Sequence, residues 1–347
     1  MSISLRTIPS KPISRHAKAF LAFSALALAA AACGSSSAST SSSTTTSGAS
    51  SSSSATSSSI GNTTVHVGVI PVADSAALYV GIKQGFFAKQ HLTVVPQIIQ
   101  SAPAIVPLML HNQLQFATFA TVPFLAAIGK GIPLTAVTNG SVNSAAADPT
   151  GIFVLPNSGI TTASQLGGKT IAVNALSAVL TLADISVMKK ADPSVQNPNF
   201  LIFPFPAMLA ALQTGKVNAI TTVEPFTSEA IKAGYRLVAR PYSGGLPAAS
   251  SLTVYSATKS YVASNKLTVT RFATAMREAT AYAAAHPGAV RTAIAGYTGI
   301  PASLANVIKL DPYSSTLSPA LFSKTEALMK KFGYLTSIPS PTSFINP

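Results

Sequence analysis

From about residue 65 onward, short runs of β-branched residues alternate with segments whose apolar positions recur every three or four residues. Runs of the first kind predict strands, and those of the second predict amphipathic helices. Strands are expected at 65–70 (VHVGVI), 92–99 (LTVVPQII), 114–120 (LQFATFA), 132–140 (IPLTAVTNG) and 150–156 (TGIFVLP). A second series is expected within 164–174 and at 199–205, 216–223, 235–240 and 250–258. Helical spacing fills the intervals at 74–84, 102–113, 122–131, 177–192, 206–215 and 224–234, and a long helix runs over 268–287. Gly85, Gly215 and Gly234 fall where a left-handed residue would stop a helix. Asp74 or Ser75 is placed to cap the first helix. Glu224 stands just before Pro225, which suits a first helical position, so its carboxylate would complement the helix dipole. Strand–helix alternation of this kind predicts an α/β fold with largely parallel sheets.

The first sixty residues follow another pattern. Arg6, Lys11, Arg15 and Lys18 precede an unbroken run of apolar and small residues over 19–32. That run is shorter than the ~18 to 20 residues of a spanning helix, but it suits the apolar region of an export signal. Residues 34–63 are nearly all Ser, Thr, Ala and Gly and can bury almost nothing, which predicts a disordered tether reaching roughly 30 Å. The junction, ALALAAAACGSSS, resembles a bacterial lipoprotein signal. That resemblance implies that residues 1–33 are a signal peptide and that Cys33 is lipidated and becomes the mature N-terminus. It anchors the chain to the outer face of the cytoplasmic membrane. Cys33 is also the only cysteine, so no disulfide can form within the chain and the fold must rest on its core.

Charge narrows the function. The chain has 23 Lys and Arg against nine Asp and Glu, a formal charge of +14. Its basic residues are scattered, with Lys189–Lys190 and Lys330–Lys331 the adjacent pairs, so nucleic acid is not an expected partner. A basic surface beside an anionic membrane or cell wall fits better. No nucleophile elbow, phosphate-binding loop, dinucleotide fingerprint or zinc-protease motif occurs. His66, His91, His111 and His286 lack metal-ligand spacing. An enzyme is therefore not expected, and neither a metal nor a cofactor is.

There is an internal echo. Leu110, Ala117, Pro123, Phe124 and Lys130 are matched, at a constant offset, by Leu212, Ala219, Pro225, Phe226 and Lys232. Two similarly wound α/β domains in one chain would look like this. Asp74, Ala76, Leu78–Tyr79, Gly85–Phe86–Phe87 and Leu92–Thr93–Val94 resemble the family of substrate-binding proteins for nitrate, aliphatic sulfonates, taurine and thiamine-pyrimidine precursors. LGGKTIAV (166–173) and ALQTGKVNAITTVEPF (211–226) are similar to that family's second-domain signatures. The resemblance runs from residue 65 over nearly the whole chain, with Ala77 standing where the family often has proline. One branch of the family makes the thiamine pyrimidine with a cysteine-rich motif, which this chain lacks.

The resemblance implies two doubly wound α/β domains of the type II periplasmic-binding kind with a ligand cleft between them. Domain 1 would be discontinuous, 64–150 plus 251–347, and domain 2 would be 151–250. The expected function is capture of a small organic solute by an extracytoplasmic monomer, hinge closure, and delivery to the permease of an ATP-driven (ABC) importer. The alternatives are an exported lipoprotein hydrolase, or a surface sensor or adhesion module that keeps the fold.

Ligands of α/β sheets collect at strand ends and helix starts. The candidate contacts there are Asp74, Ser75, Ser101, Phe119, Thr121 and Asn139 in the first domain, and Asn174, Ser177, Thr222 and Glu224 in the second. If Asp74 and Glu224 both face the cleft, an anion is disfavoured. An amine, an aminopyrimidine or a similar donor-bearing heterocycle is favoured instead.

Overall fold

β-Branched runs become strands throughout the part of the chain that a computed structural model describes, residues 61–100, 102–337 and 340–346. The expectations for the signal peptide, Cys33, nearly all of the tether and Ser101 lie outside these residues. The strands are β1 (Thr63–Val69), β2 (Leu92–Ile98), β3 (Phe116–Ala120), β4 (Leu134–Val142) and β5 (Gly151–Val154). They continue as β6 (Thr170–Val173), β7 (Asn199–Ile202), β8 (Ala219–Thr222), β9 (Arg236–Ala239) and β10 (Ser251–Thr258). One sheet has the order β2-β1-β3-β10-β4 and the other β7-β6-β8-β5-β9. Position by position the two orders are the same, so the chain holds two α/β domains wound alike. The echo in the sequence falls on equivalent units, β3 with its following helix Thr121–Gly129 and β8 with Phe226–Lys232.

The sheets are mixed rather than largely parallel. β2, β1 and β3 run parallel, as do β7, β6 and β8. β10 is antiparallel to both its neighbours, and so is β5. These are the strands by which the chain enters each sheet from the other, without a helical crossover to turn it round. A crossover of that kind is what parallel pairing needs. Pro96 is tolerated inside β2 because β2 is an edge strand and needs no ladder donor on its outer side.

Alternation on the strands decides where the cores lie. Val65, Val67, Val69, Phe116 and Tyr255 pack with Phe87 and Phe272 beneath the helices Ala76–Lys83 and Lys266–Ala285. Phe116 and Phe272 stack with ring centroids 3.9 Å apart. A second cluster runs from one domain into the other, joining Phe119, Phe124 and Leu125 to Leu180, Phe205, Met208 and Phe226. C-terminal segments cover the outer edge of β4, where Val142 N–H donates to Pro312 O (3.0 Å) and Ala136 N–H to Phe344 O (2.7 Å). That covering removes an open sheet edge.

Two connections join the sheets, 143–150 from β4 to β5 and 240–250 from β9 to β10, and they are laced together. Asn143 N–H donates to Ser250 O at 2.9 Å and Ala249 N–H to Asn143 O at 3.1 Å. The buried Asp148 carboxylate accepts from Thr150 N–H (2.8 Å), from the Thr150 hydroxyl and from Ser243 N–H (2.7 Å). Arg240 Nη1 returns across the pair to Asp148 O (3.1 Å) and Thr150 O (2.6 Å). Gly245 lies so close to the helix Val179–Ala191 that a Cβ would collide with the carbonyl of Ala183. Removing the carboxylate in Asp148→Ala strands the buried N–H of Thr150 and the half-buried N–H of Ser243. The expected loss is roughly 3 kcal/mol, read as a lower urea midpoint with an unchanged slope.

Candidate functional site

The ends of β1, β3, β6 and β8 face one another across the seam between the sheets and enclose a cavity of about 60 Å³. Its wall includes Ile70, Asp74, Ser75 and Thr118 from the first sheet's side, with Asn174, Val223 and Tyr242 from the second. Strand ends gather here because each β–α connection turns at the carboxyl edge of its sheet. Among the described residues, neither lysine nor arginine lies on the wall.

Asp74 sets the electrostatics. It is buried and does not cap the helix that follows, contrary to the sequence expectation, and Ser75 makes no side-chain cap either. Instead the Asp74 carboxyl accepts from Ser141 Oγ at 3.0 Å, and Ser75 Oγ donates back to Ile70 O at 2.8 Å. Asp74 is also hydrogen-bonded to the carboxyl of buried Asp311. Burial raises both above the usual carboxylate range. For Asp311 the nearby Asp74 charge adds to the shift. Two buried carboxyls in contact cannot both ionise at little cost, so the pair keeps a proton above the range in which free carboxyls lose theirs. Asn174 stands on the opposite wall, and its Oδ1, shielded from solvent, has no hydrogen-bond partner among the described residues. A donor brought to this wall would satisfy it.

The loop that carries Asp74 is held from both sides. The Tyr297 hydroxyl donates to Val72 O (2.7 Å) and the Tyr313 hydroxyl to Ala73 O (2.8 Å). Ala73 N–H donates to Glu224 O (3.1 Å) across the seam. Glu224 is buried too, and its carboxylate does two jobs. It accepts from Ser228 N–H (3.0 Å) and Ser228 Oγ (2.9 Å) in the first turn of the helix Phe226–Lys232, and from Lys309 N–H (3.1 Å) in the segment that leads to Asp311.

The candidate residues thus divide into groups. Asp74, Ser75 and Asn174 share the cavity wall. Phe119 and Ser177 lie instead on the wall of an adjoining groove, which Asn174 also lines. Thr121, Asn139, Thr222 and Glu224 are buried outside the cavity wall with their polar groups taken up by the protein. Thr121 pairs with Ser251, Asn139 with Ser251, Ser141 and Ser314, and Thr222 with Gly151 and Thr227. Tyr242 and Asp311 escaped the sequence reading because neither sits at the start of a long helix. The scarcity of acids was the available signal. Only nine occur in the chain, and Asp74, Asp148, Asp184, Glu224 and Asp311 are buried. A solubilising surface would not use its acids that way.

Burial drives the Glu224 carboxyl up to about 7, against the pull of its three donors. A folded-state value above the unfolded one means that the native chain holds the proton longer. Glu224 therefore contributes most to stability below about pH 4.5, and that contribution drains away as pH rises to about 7. Glu224→Gln keeps the shape and removes the titration. The stability of the native chain relative to this variant should fall by on the order of 3 kcal/mol between pH 4.5 and pH 7.5, measured by urea unfolding across that range.

The family model described as NMT1/THI5 like matches residues 72–290. The alkanesulfonate-binding protein SsuA of Xanthomonas axonopodis pv. citri, bound to MOPS, superposes with a TM-score of 0.69 at 16% identity, covering 82% of this chain and 99% of that one. The periplasmic nitrate-binding protein NrtA of Synechocystis PCC 6803 gives 0.65 at 15% identity, covering 81% and 84%. The desulfurization enzyme DszB gives 0.58 at 16% identity, covering 82% and 96%. At such identities these likenesses establish the fold. No curated protein sequence matches the chain.

Proposed function

Because the chain belongs to the NMT1/THI5-like family, we propose that it is an extracytoplasmic solute-binding protein that captures a small organic molecule between its two domains. The molecule carries N–H donors or a positive charge. One observation supports this reading: among the described residues, Asp74 and Asn174 line the seam cavity, the Asn174 Oδ1 has no hydrogen-bond partner, and no lysine or arginine lies on the wall. A nitrate or sulfonate placed there would meet acceptors and no cation. An amine, amidine or aminopyrimidine would satisfy Asn174 and compensate the carboxyl pair, which a buried polar group requires.

Hinge closure on the solute follows from two domains joined by two laced connections. We assign delivery to the permease of an ATP-driven importer, with a monomer tethered to the membrane through a lipid on Cys33. No helix of the described residues is long and apolar enough to cross a membrane. A hydrolase reading lacks support, since among the described residues no serine hydroxyl is hydrogen-bonded to a histidine ring.

A thermal-shift screen of the purified chain against two panels tests the proposal. One panel holds amines, amidines and aminopyrimidines, and the other nitrate, taurine and alkanesulfonates. Binding at a hundredfold excess over Kd stabilises the folded form by about 2.7 kcal/mol. The expected result is a raised Tm with members of the first panel, lost in Asp74→Ala. A raised Tm with the anions alone would overturn the choice of ligand.

A further inference from the structure

The seam cavity is too small for a whole organic solute. At about 60 Å³ it matches roughly two waters of ~30 Å³ each, whereas small-molecule sites span roughly 300–1,000 Å³. It has room for a head group, and the body of the molecule must lie elsewhere.

Two larger grooves flank the seam. One, of about 390 Å³, contains Pro71, Ile98, Phe226 and Glu229 and shares no wall residue with the cavity. The other, of about 410 Å³, shares Asn174 with it. Phe119, Pro123 and Ala126 of the first domain face Ala175, Leu176 and Ile202 of the second across this groove. Leu176 and Ile202 are 51% and 55% exposed, an unusual outlay of large apolar side chains beside a buried polar cavity. Among the described residues, Lys130 is the one charged residue on the wall, and it is exposed. A lysine stem can lie along apolar surface while its amine stays in water.

We propose that the solute is amphipathic, with its donor-bearing head in the cavity at Asp74 and Asn174 and an apolar chain or ring in the groove lined by Phe119, Pro123, Ala126 and Leu176. The inference rests on the cavity being the head-group site. Asn174 marks the junction between the two compartments. The apolar part touches both domains, so each methylene it buries holds them together and adds to affinity. Residues from both sides of the groove thereby set specificity for chain length, which the head-group contacts alone cannot do.

The test is calorimetric titration of the full chain with unbranched primary amines from methylamine to octylamine. Burial of each methylene should tighten binding about fourfold until the groove is filled. Leu176→Ala, at an exposed position where folding is not at risk, should reduce the ratio of octylamine to methylamine affinity severalfold. Ala126→Phe, which fills the groove, should reduce it further. Affinity that is the same for every chain length would overturn the groove and leave the cavity reading intact. Failure of every amine to bind would overturn both.

Discussion

A carboxyl group taken out of water must find donors, find a cation or keep its proton. Three carboxyl groups resolve that requirement differently in the seam between the two sheets. Asp74 and Asp311 share a proton: burial raises both, the Asp74 charge raises Asp311 further, and the hydrogen bond from Asp311 lowers Asp74. Glu224 is met by three donors, one of them the Lys309 N–H contributed from across the seam. Lys309 and Asp311 are two residues apart, so one C-terminal segment serves the interdomain contact and the carboxyl pair together. The position of Asp74 in the cavity thus depends on both domains, through Tyr297 and Tyr313 on one side and the Glu224 carbonyl on the other.

This arrangement bears on how the molecule would work. A ligand that neutralises or ionises the Asp74–Asp311 pair changes the electrostatics of the segment that also holds Glu224. Binding and the interdomain contact are then linked through a few adjacent groups, and no long chain of intermediates is needed. The hydrogen bonds at Asn143 and Asp148 tie the two strand-to-strand connections to each other. The apolar cluster that passes from Phe119 and Phe124 to Phe205 and Phe226 favours the approach of the two sheets without directing it. Direction comes from the polar contacts, which have defined partners.

Much of the fold was legible in the sequence, since the strand and helix periods report burial directly. The ten strands fall where short β-branched runs predict them, and the offset between the Pro-Phe segments at 123–124 and 225–226 falls on equivalent units. Strand direction was not legible. Whether β5 and β10 run with or against their neighbours is decided by which sheet the chain has just left, and no local pattern encodes that. The site was legible only in part. Asp74 sits where a helix cap belongs, yet its partner Ser141 lies 67 residues further along and Asp311 near the far end of the chain. Glu224 was legible as a group serving the first turn of a helix, and its contact with Lys309 was not. Asn174 was visible as a strand-end amide, but the lack of a partner for its oxygen appears only once the walls are assembled.

The central claim is that the seam cavity takes a donor-bearing, cationic head group against a carboxyl pair that holds a proton. The most direct measurement is the number of protons released when such a cation binds. It is obtained from titration calorimetry at pH 7 in two buffers of different ionisation enthalpy. Two carboxyls that share one proton carry a single negative charge, which one cation balances, so the account predicts that the proton stays in place and that the binding enthalpy is the same in both buffers. Release of a proton on binding would contradict it.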